Sequence, residues 1–257
     1  MSSNDSIRKT LIVALSLCIV CSVIVSTAAV VLKPAQEANQ SLDRKRNILA
    51  AAGMLEKGVS VEEQFANITT RLVDLRTGKF SDDVDPDDYD QRKAAKESSL
   101  SDALSTEEDI AKIFRREHYA LVYLAADEQG EIEKIILPIH GFGLWGTMYG
   151  FLALESDAST VAGIGFYEHK ETPGLGGEVD NPSWKALWPG KQVYSDGELA
   201  ISVIKGSVDP TAANAQYQVD GLAGSTLTTR GVSNLVRFWL SDNGFAPFLN
   251  NLQTGEA

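Results

Sequence analysis

The segment YALVYLA (residues 119–125) begins a series of short runs that are apolar, β-branched or alternating in character. The series continues with IEKIILPI (132–139), FLALE (151–155), TVAGIGFYE (160–168) and LAISVIK (199–205). Gly, Asp and Pro bound these runs, which is the pattern of strands separated by turns. The middle of the chain is therefore predicted to form a β-sheet.

Helical patterning surrounds this strand-rich segment. On its C-terminal side, apolar residues at helical spacing predict one amphipathic helix: Val232, Leu235, Val236, Trp239 and Leu240. Asn243 and Gly244 are its predicted stop. On the N-terminal side, residues 41–54 read as a helix, and capping boxes at 60–63 and 105–108 predict helices to about residues 75 and 116. Helices first, strands next and a helix last predict an α+β fold.

The N-terminal run LIVALSLCIVCSVIVSTAAVVL (residues 11–32) carries no charge. As a helix it would span roughly 33 Å, enough for a bilayer core of about 30 Å. Arg8 and Lys9 precede it and favour a cytoplasmic N-terminus. A cleaved signal peptide is the alternative, but the length favours an uncleaved anchor. Cys18 and Cys21 share a helix face, where two small packing residues are a better interpretation than a redox or metal pair.

The composition of the chain excludes several classes of protein and of metal site. With 257 residues, 44% of them hydrophobic, the chain is globular, and its net charge of −12 makes it a poor general nucleic-acid binder. The cysteines and histidines are too scattered for a zinc site: Cys18, Cys21, His118, His140 and His169. An EF-hand in the acidic residues 79–104 fails because Pro86 interrupts it and Ala94 replaces the bidentate Glu. We therefore predict a solvated acidic loop and no metal site.

These observations divide the chain into three parts. Residues 1–32 are the predicted membrane anchor, and residues 33–118 form a helical and acidic-loop region. Residues 119–257 hold the sheet, the last helix and three Gly-rich loops.

Two of these loops are ambiguous by residue pattern. The first, GFGLWGTMYGF (residues 141–151), suits either a hairpin with aromatic core residues or a surface that approaches a flat ligand. The second, HKETPGLGG (169–177), has glycines that could expose backbone N–H groups to an anion, but it lacks a dinucleotide fingerprint. His169 and Glu171 are either an acid/base pair or an ordinary surface pair.

The third loop, DGLAGSTLTT (residues 220–229), directly precedes the amphipathic helix. Thr228 or Thr229 is therefore predicted near the N-cap. Free N–H groups and the helix dipole would favour a phosphate there, while the alternative is a polar turn with an ordinary Thr cap. The loop is not a P-loop, because it lacks Gly-Lys-Thr.

The segment DGLAGSTLT resembles the flavinylation motif of bacterial FMN-binding domains. In that family the last Thr of the motif holds FMN through a phosphoester bond, which implies Thr228 here. This chain departs from the usual motif by small-for-small exchanges at Ala223 and Ser225. The Gly and the terminal Thr of the motif are intact.

The resemblance extends along the chain. The N-terminal anchor, SLDRKRNILAAAG (41–53), GFGLWGTMYGFLAL (141–154) and YEHKETPGLGGE (167–178) occur in this order in the C-subunit family of sodium-translocating NADH:quinone oxidoreductases. The G subunit of the related Rnf complex shares the domain and the motif. The DRKRNIL segment and the long insertion at 55–105 favour the C-subunit family.

The resemblance implies a function. One covalent FMN per chain would pass electrons between cofactors of neighbouring subunits, in a mixed helix/antiparallel-sheet domain outside the bacterial inner membrane. No NADH or quinone site is expected on this chain, and a separate flavin transferase that uses FAD and Mg²⁺ would attach the flavin. The alternatives are a free-standing periplasmic FMN-binding module and a membrane-tethered reductase with its own substrate.

The resemblance also implies a set of site residues. Thr228 would carry the flavin, with Gly224, Ser225, Thr226 and Leu227 beside the phosphate. The ring would lie against Glu171, Thr172, Gly174 and Leu175, with Trp145 as an aromatic wall. Lys205 is either a positive charge near the electron-rich end of the ring or a surface lysine.

Overall fold

The structure is a computed structural model that describes residues 6–127 and 129–257. It divides into two compact units, Met1–Arg44 and Lys45–Ala257. Helix α1 (Ile7–Ala51) is, within the described residues, the one helix long and apolar enough to cross a membrane. It joins the predicted span at residues 11–32 to the predicted helix at 41–54, and it continues through Pro34.

The unit Lys45–Ala257 contains the remaining elements. In chain order they are α2 (Val61–Phe65), β1 (Ile68–Asp74), β2 (Lys79–Ser81), α3 (Gln91–Ala94), β3 (Ser101–Ala103), β4 (Arg115–Glu117), β5 (Tyr119–Ala126), β6 (Ile132–Phe142), β7 (Thr147–Glu155), β8 (Val161–Glu168), α4 (Pro182–Lys185), β9 (Tyr194–Ser195), β10 (Glu198–Leu199), β11 (Ser202–Val203), β12 (Gln218–Val219), α5 (Thr226–Trp239) and α6 (Ala246–Thr254). Short 3₁₀ helices lie at Gly176–Asp180 and Ala215–Tyr217.

A six-stranded antiparallel sheet forms the centre of this unit. Its strand order is β2-β1-β5-β6-β7-β8, and His140 lies opposite Tyr149 in the β6–β7 hairpin. The predicted runs at 119–125, 132–139, 151–155 and 160–168 are strands of this sheet. Strands β1 and β2, which precede residue 118, belong to the same sheet as β5 to β8.

Both faces of the sheet are covered. Ile135, Leu137 and Ile139 alternate along β6 and pack into the core that includes α5 and α6. The other face lies under the end of α1, where Lys134 Nζ donates to the carbonyl of Ala52 at 3.1 Å. Both faces of the strands are therefore apolar, which explains why the runs are nearly continuous rather than strictly alternating.

Two predicted helices are wrong. The capping box at Ser60 forms, since its side chain accepts from Glu63 N, but α2 ends at Phe65 and β1 follows. The β-branched run ITTRLVD prefers to pair with β5 along its whole length. At the second box, Ser105 and Glu108 exchange hydrogen bonds without a helix.

The chain turns at the second box because of Asp109. The Asp109 carboxylate accepts from the N–H groups of Ile113 and Phe114, both at 2.8 Å, and Phe114 has φ of 66°. A local side-chain acceptor thus competes with helix formation.

The predicted strand at 199–205 is also wrong as a single element. It is split between β10 and β11, and between them the carbonyl of Ile201 accepts from Arg237 Nη1 on α5 at 2.9 Å. Strand β11 pairs in parallel with β12, and Val203 N donates to Ser233 Oγ on α5. These contacts hold residues 201–203 against α5.

The five predicted apolar residues are buried, four of them in helix α5 and Leu240 as its C-cap. The helix begins at Thr226 with Ser225 as N-cap, so Thr228 and Thr229, which were predicted near the N-cap, lie three and four residues after it, in the first turn. The Thr229 hydroxyl donates to the carbonyl of Ser225 at 2.9 Å, within the first turn. The Thr229 hydroxyl therefore bonds to a carbonyl of its own helix turn and does not cap the helix.

Candidate functional site

The N-terminus of α5 offers free backbone donors. The first N–H groups of a helix have no intrahelical partner, and no side chain among the described residues caps this helix. The preceding loop is fixed by Asp220, whose carboxylate accepts from Val208 N and whose carbonyl accepts from the Trp184 indole, both at 2.8 Å. The helix start is thus held in place with its positive dipole end uncapped.

Thr228 lies in this first turn and is fully buried. Its Oγ1 accepts a hydrogen bond from Ser225 Oγ at 2.8 Å and donates one to Glu171 Oε2 at 2.5 Å. A hydroxyl that donates to a carboxylate makes a charge-assisted bond, the stronger class of hydrogen bond.

Glu171 is the opposite wall of the site, and it is 5% exposed. Its Oε1 accepts from the backbone N–H groups of Leu144 and Trp145, at 2.9 and 3.0 Å. These two residues form the tip of the β6–β7 hairpin, which Gly143 N closes by donating to the carbonyl of Gly146. Segment 141–151 is therefore a hairpin, as its pattern suggested, and its tip binds the carboxylate.

His169 orients the backbone of Glu171 rather than its carboxyl. Glu171 N donates to His169 Nδ1 at 3.2 Å, so the other ring nitrogen, Nε2, donates to Asp180 Oδ2 at 2.8 Å. The side chains of His169 and Glu171 do not form the acid/base pair considered from the sequence.

The loop after β8 approaches the threonine through a glycine. A Cβ at Gly176 would lie 2.5 Å from Thr228 Oγ1 and 2.6 Å from Glu171 Oε2. Any larger residue would separate the loop from the helix start, so this close approach requires glycine.

A cavity of about 340 Å³ opens at this cluster. Its lining residues are Leu144, Trp145, Glu171, Thr172, Leu175, Gly176, Gly224, Ser225, Thr226, Leu227 and Thr228. The sequence-predicted site residues are all in this set except Gly174 and Lys205, and Lys205 is exposed. Leu144 and Gly176 were not predicted, although Leu144 lies beside Trp145 between two glycines.

The cavity has an apolar rim. Trp145 is 63% exposed, Leu227 53% and Leu175 45%, whereas Thr228 at the inner wall has no exposed surface. Large exposed apolar side chains around a concave site indicate a ligand or partner. Uncapped N–H groups and a hydroxyl inside, with apolar side chains outside, fit a phosphate ester that carries a flat ring.

Comparison with known proteins shows which class of protein this chain resembles. Residues 143–241 match the FMN-binding domain family, and this range contains every residue of the cavity lining. The chain is 57% identical over 262 residues to the C subunit of the Na(+)-translocating NADH-quinone reductase of Pseudomonas aeruginosa, with full coverage of both chains. It is 50% identical to the protein of the same name from Vibrio alginolyticus, covering 99% of this chain and 98% of that one. The chain belongs to this C-subunit family.

The fold is similar to the folds of two solved C-subunit structures. The crystal structure of Shewanella oneidensis NqrC matches with a TM-score of 0.76 and 36% identity, over 82% of this chain and 97% of that one. The C subunit of the Na(+)-translocating NADH-quinone reductase from Parabacteroides distasonis matches with a TM-score of 0.66 and 27% identity, over 85% and 96%. The predicted family and the predicted α+β fold with one long apolar helix are confirmed.

Proposed function

We propose that this chain is a membrane-anchored subunit that holds FMN covalently through Thr228 and relays electrons within a Na⁺-translocating NADH-quinone reductase complex. One observation carries the proposal: Thr228 Oγ1 lies at the inner wall of the cavity, in the uncapped first turn of α5. A phosphate ester at this oxygen gains free N–H donors and the helix dipole.

The cavity residues form two groups, and each group would bind a different part of FMN. The N–H groups at Thr226, Leu227 and Thr228 would hold the phosphate, and the apolar rim of Trp145 and Leu175 would cover the ring. Bound FMN supplies the electron-carrying chemistry, while the protein binds, orients and tunes it. A covalent link prevents loss of the cofactor during turnover.

The hydrogen bonds favour Thr228 over the neighbouring hydroxyls. Thr229 Oγ1 donates to the carbonyl of Ser225 and accepts from Leu222 N, so both of its partners are backbone groups, and Thr229 is not among the residues that line the cavity. Thr226 is exposed at the first position of the helix. Thr228, in contrast, points at the carboxylate inside the cavity wall.

In-gel flavin fluorescence of denatured protein tests the attachment, because only covalent flavin survives. After co-expression with a flavin transferase, the unchanged chain and Thr228→Ser should fluoresce, and Thr228→Val should not. Thr226→Val is the matched control and should remain labelled. Fluorescent Thr228→Val protein would refute the assignment.

The membrane anchor belongs to the same proposal. The apolar side chains of α1 between residues 11 and 32 are exposed, and Arg8 and Lys9 precede them. We propose a single pass with the N-terminus in the cytoplasm and Lys45–Ala257 in the periplasm of a bacterial inner membrane. A periplasm-dependent reporter fused after Ala257 should be active. Loss of residues 1–32 from the mature chain, by intact mass, would favour a cleaved signal peptide instead.

If this chain only relays electrons, its redox activity depends on other subunits of the complex. The relatives are named as subunits of a reductase, and we propose that this chain has no NADH or quinone site of its own. The purified full chain carrying FMN should not oxidise NADH, whereas a complex lacking it should lose quinone reduction. NADH oxidation by the isolated chain would support the alternative, a tethered reductase.

A further inference from the structure

We propose that Glu171 is the general base that takes the proton of Thr228 when the flavin is attached. The inference rests on the proposed attachment at Thr228. It assigns a catalytic role in the modification to a residue of the acceptor chain itself, in addition to whatever the transferase contributes.

The chemistry of attachment requires a proton acceptor. A threonine hydroxyl is a weak nucleophile, and an adjacent base activates it. FMN as a free phosphate monoester has no good leaving group, so the donor must hold the FMN phosphate in a phosphoanhydride, as a flavin dinucleotide does. A bond then forms between Thr228 Oγ1 and phosphorus, the anhydride P–O bond breaks, and a nucleoside monophosphate leaves. The hydroxyl proton passes to Glu171 and from there to solvent.

The geometry of the cluster meets the requirements for a base. Glu171 Oε2 lies 2.5 Å from Thr228 Oγ1 and already accepts its proton in a hydrogen bond. A nucleophile, a base within hydrogen-bond reach and a third group that orients the base are the usual parts of such a device. Here the N–H groups of Leu144 and Trp145 hold the other carboxylate oxygen and supply the orienting function.

Ser225 completes the arrangement on the opposite side of the nucleophile. Its hydroxyl donates to Thr228 Oγ1 at 2.8 Å, so the threonine proton is directed to Glu171 and not to Ser225. The acceptor chain thus holds the hydroxyl with its proton already aimed at a carboxylate. Such preorganisation lowers the cost of reaching the transition state.

The experiment measures the initial rate of flavinylation of the full-length chain by a limiting amount of transferase, with FAD as donor. Glu171→Gln keeps the shape and the acceptor oxygen for the hairpin tip but cannot take the proton. We expect its maximal rate at saturating acceptor to fall by about 10²–10⁴-fold, with the KM for the acceptor chain unchanged. Glu178→Gln is the matched control, because it removes the same charge from the same loop while its carboxylate contacts Asn181.

Each result of this experiment either supports the role of Glu171 as the base or overturns it. An unchanged maximal rate for Glu171→Gln would overturn the proposal and assign the base to the transferase. A raised KM with unchanged maximal rate would reduce Glu171 to a structural role and overturn it equally. If Glu171→Gln fails to fold, Glu171→Asp decides: its retracted carboxylate should slow the reaction at least tenfold, and an unchanged rate overturns the proposal. Labelled Thr228→Val would refute the attachment site instead, so the two failures are distinct.

Discussion

The buried polar cluster at the cavity wall is stable because every member has a partner. A buried carboxylate without donors is costly, and Glu171 receives two N–H groups and one hydroxyl. The cluster therefore behaves as a unit in which a change at one atom affects the others. Gly176 is the most sensitive point, since a Cβ at this position would meet both oxygen atoms at the centre.

Gly176→Ala should reduce flavin attachment. The added methyl would force Thr228 Oγ1 and Glu171 Oε2 apart, and overpacking of this kind costs about 1–3 kcal/mol. We expect a lower melting temperature and at least tenfold slower labelling by in-gel fluorescence. The control is Gly174→Ala, where a Cβ meets nothing within 4 Å although φ is +74°. It should lose about 1 kcal/mol of stability and label normally; equal loss of labelling in both variants would contradict the prediction.

Among the elements, those with a consistent local pattern could be predicted from sequence. The strands β5 to β8 are nearly continuous apolar runs bounded by turn residues, the apolar stripe of α5 follows period 3.6, and tertiary contacts reinforce both. The hydrogen bonds of the capping boxes at 60–63 and 105–108 do form, yet the long helix that each box predicted does not follow. Pairing of β1 with β5, and the carboxylate of Asp109, outweigh the local preference at those points.

Most of the residues that line the cavity belong to the set that the family resemblance implied, whereas the residue pattern alone left two of the three Gly-rich loops ambiguous. The partnership between Thr228 and Glu171 could not be read from the sequence, since 57 residues separate them. It depends on the register that places the β6–β7 tip beside the end of β8.

Gly231 determines how closely α5 approaches the hairpin tip. A Cβ there would lie 2.6 Å from the carbonyl oxygen of Phe142 and 3.0 Å from the Cα of Gly143. Gly231→Ala should therefore destabilise the fold by about 1–3 kcal/mol in urea unfolding, although alanine is the better helix former. Asn234→Ala, in the same helix, should be neutral or stabilising. If Gly231→Ala were also stabilising, the close approach would not limit the packing.

At the scale of the whole molecule, the core belongs to the unit Lys45–Ala257. The buried apolar residues begin at Ile48 and Leu49, near the C-terminal end of α1. A chain that starts at Lys45 should therefore be soluble without detergent and melt cooperatively. A chain that starts at Gly53 loses both residues, which should cost several kcal/mol because each large-to-small change in a core costs about 2–5 kcal/mol. Equal melting temperatures for the two chains would contradict this.

Two groups with shifted pKa values, Glu117 and His140, predict that the stability of the molecule depends on pH. Glu117 has no exposed surface, one of its carboxylate oxygens has no hydrogen-bond partner within the described residues, and burial raises its pKa from 4.5 to about 7. Burial acts on His140 in the opposite direction and lowers its pKa from 6.5 to about 4, with a smaller contribution from the charge of Arg92. His140 packs against Tyr149 and Trp239 and keeps some exposed surface, so its effect on stability should be the smaller one.

The sign of each effect follows from which state binds the proton. Between pH 4.5 and 7 the folded chain keeps a proton on Glu117 that the unfolded chain has released, so this stability is lost as the pH rises. The loss is of order 3 kcal/mol. Glu117→Gln should remove this loss of stability. Because neutral His140 favours the folded state above about pH 6.5, the variant should then be more stable at pH 7.5 than at pH 5. Urea unfolding at both values tests this, and parallel profiles for variant and unchanged chain would show that Glu117 does not titrate with folding.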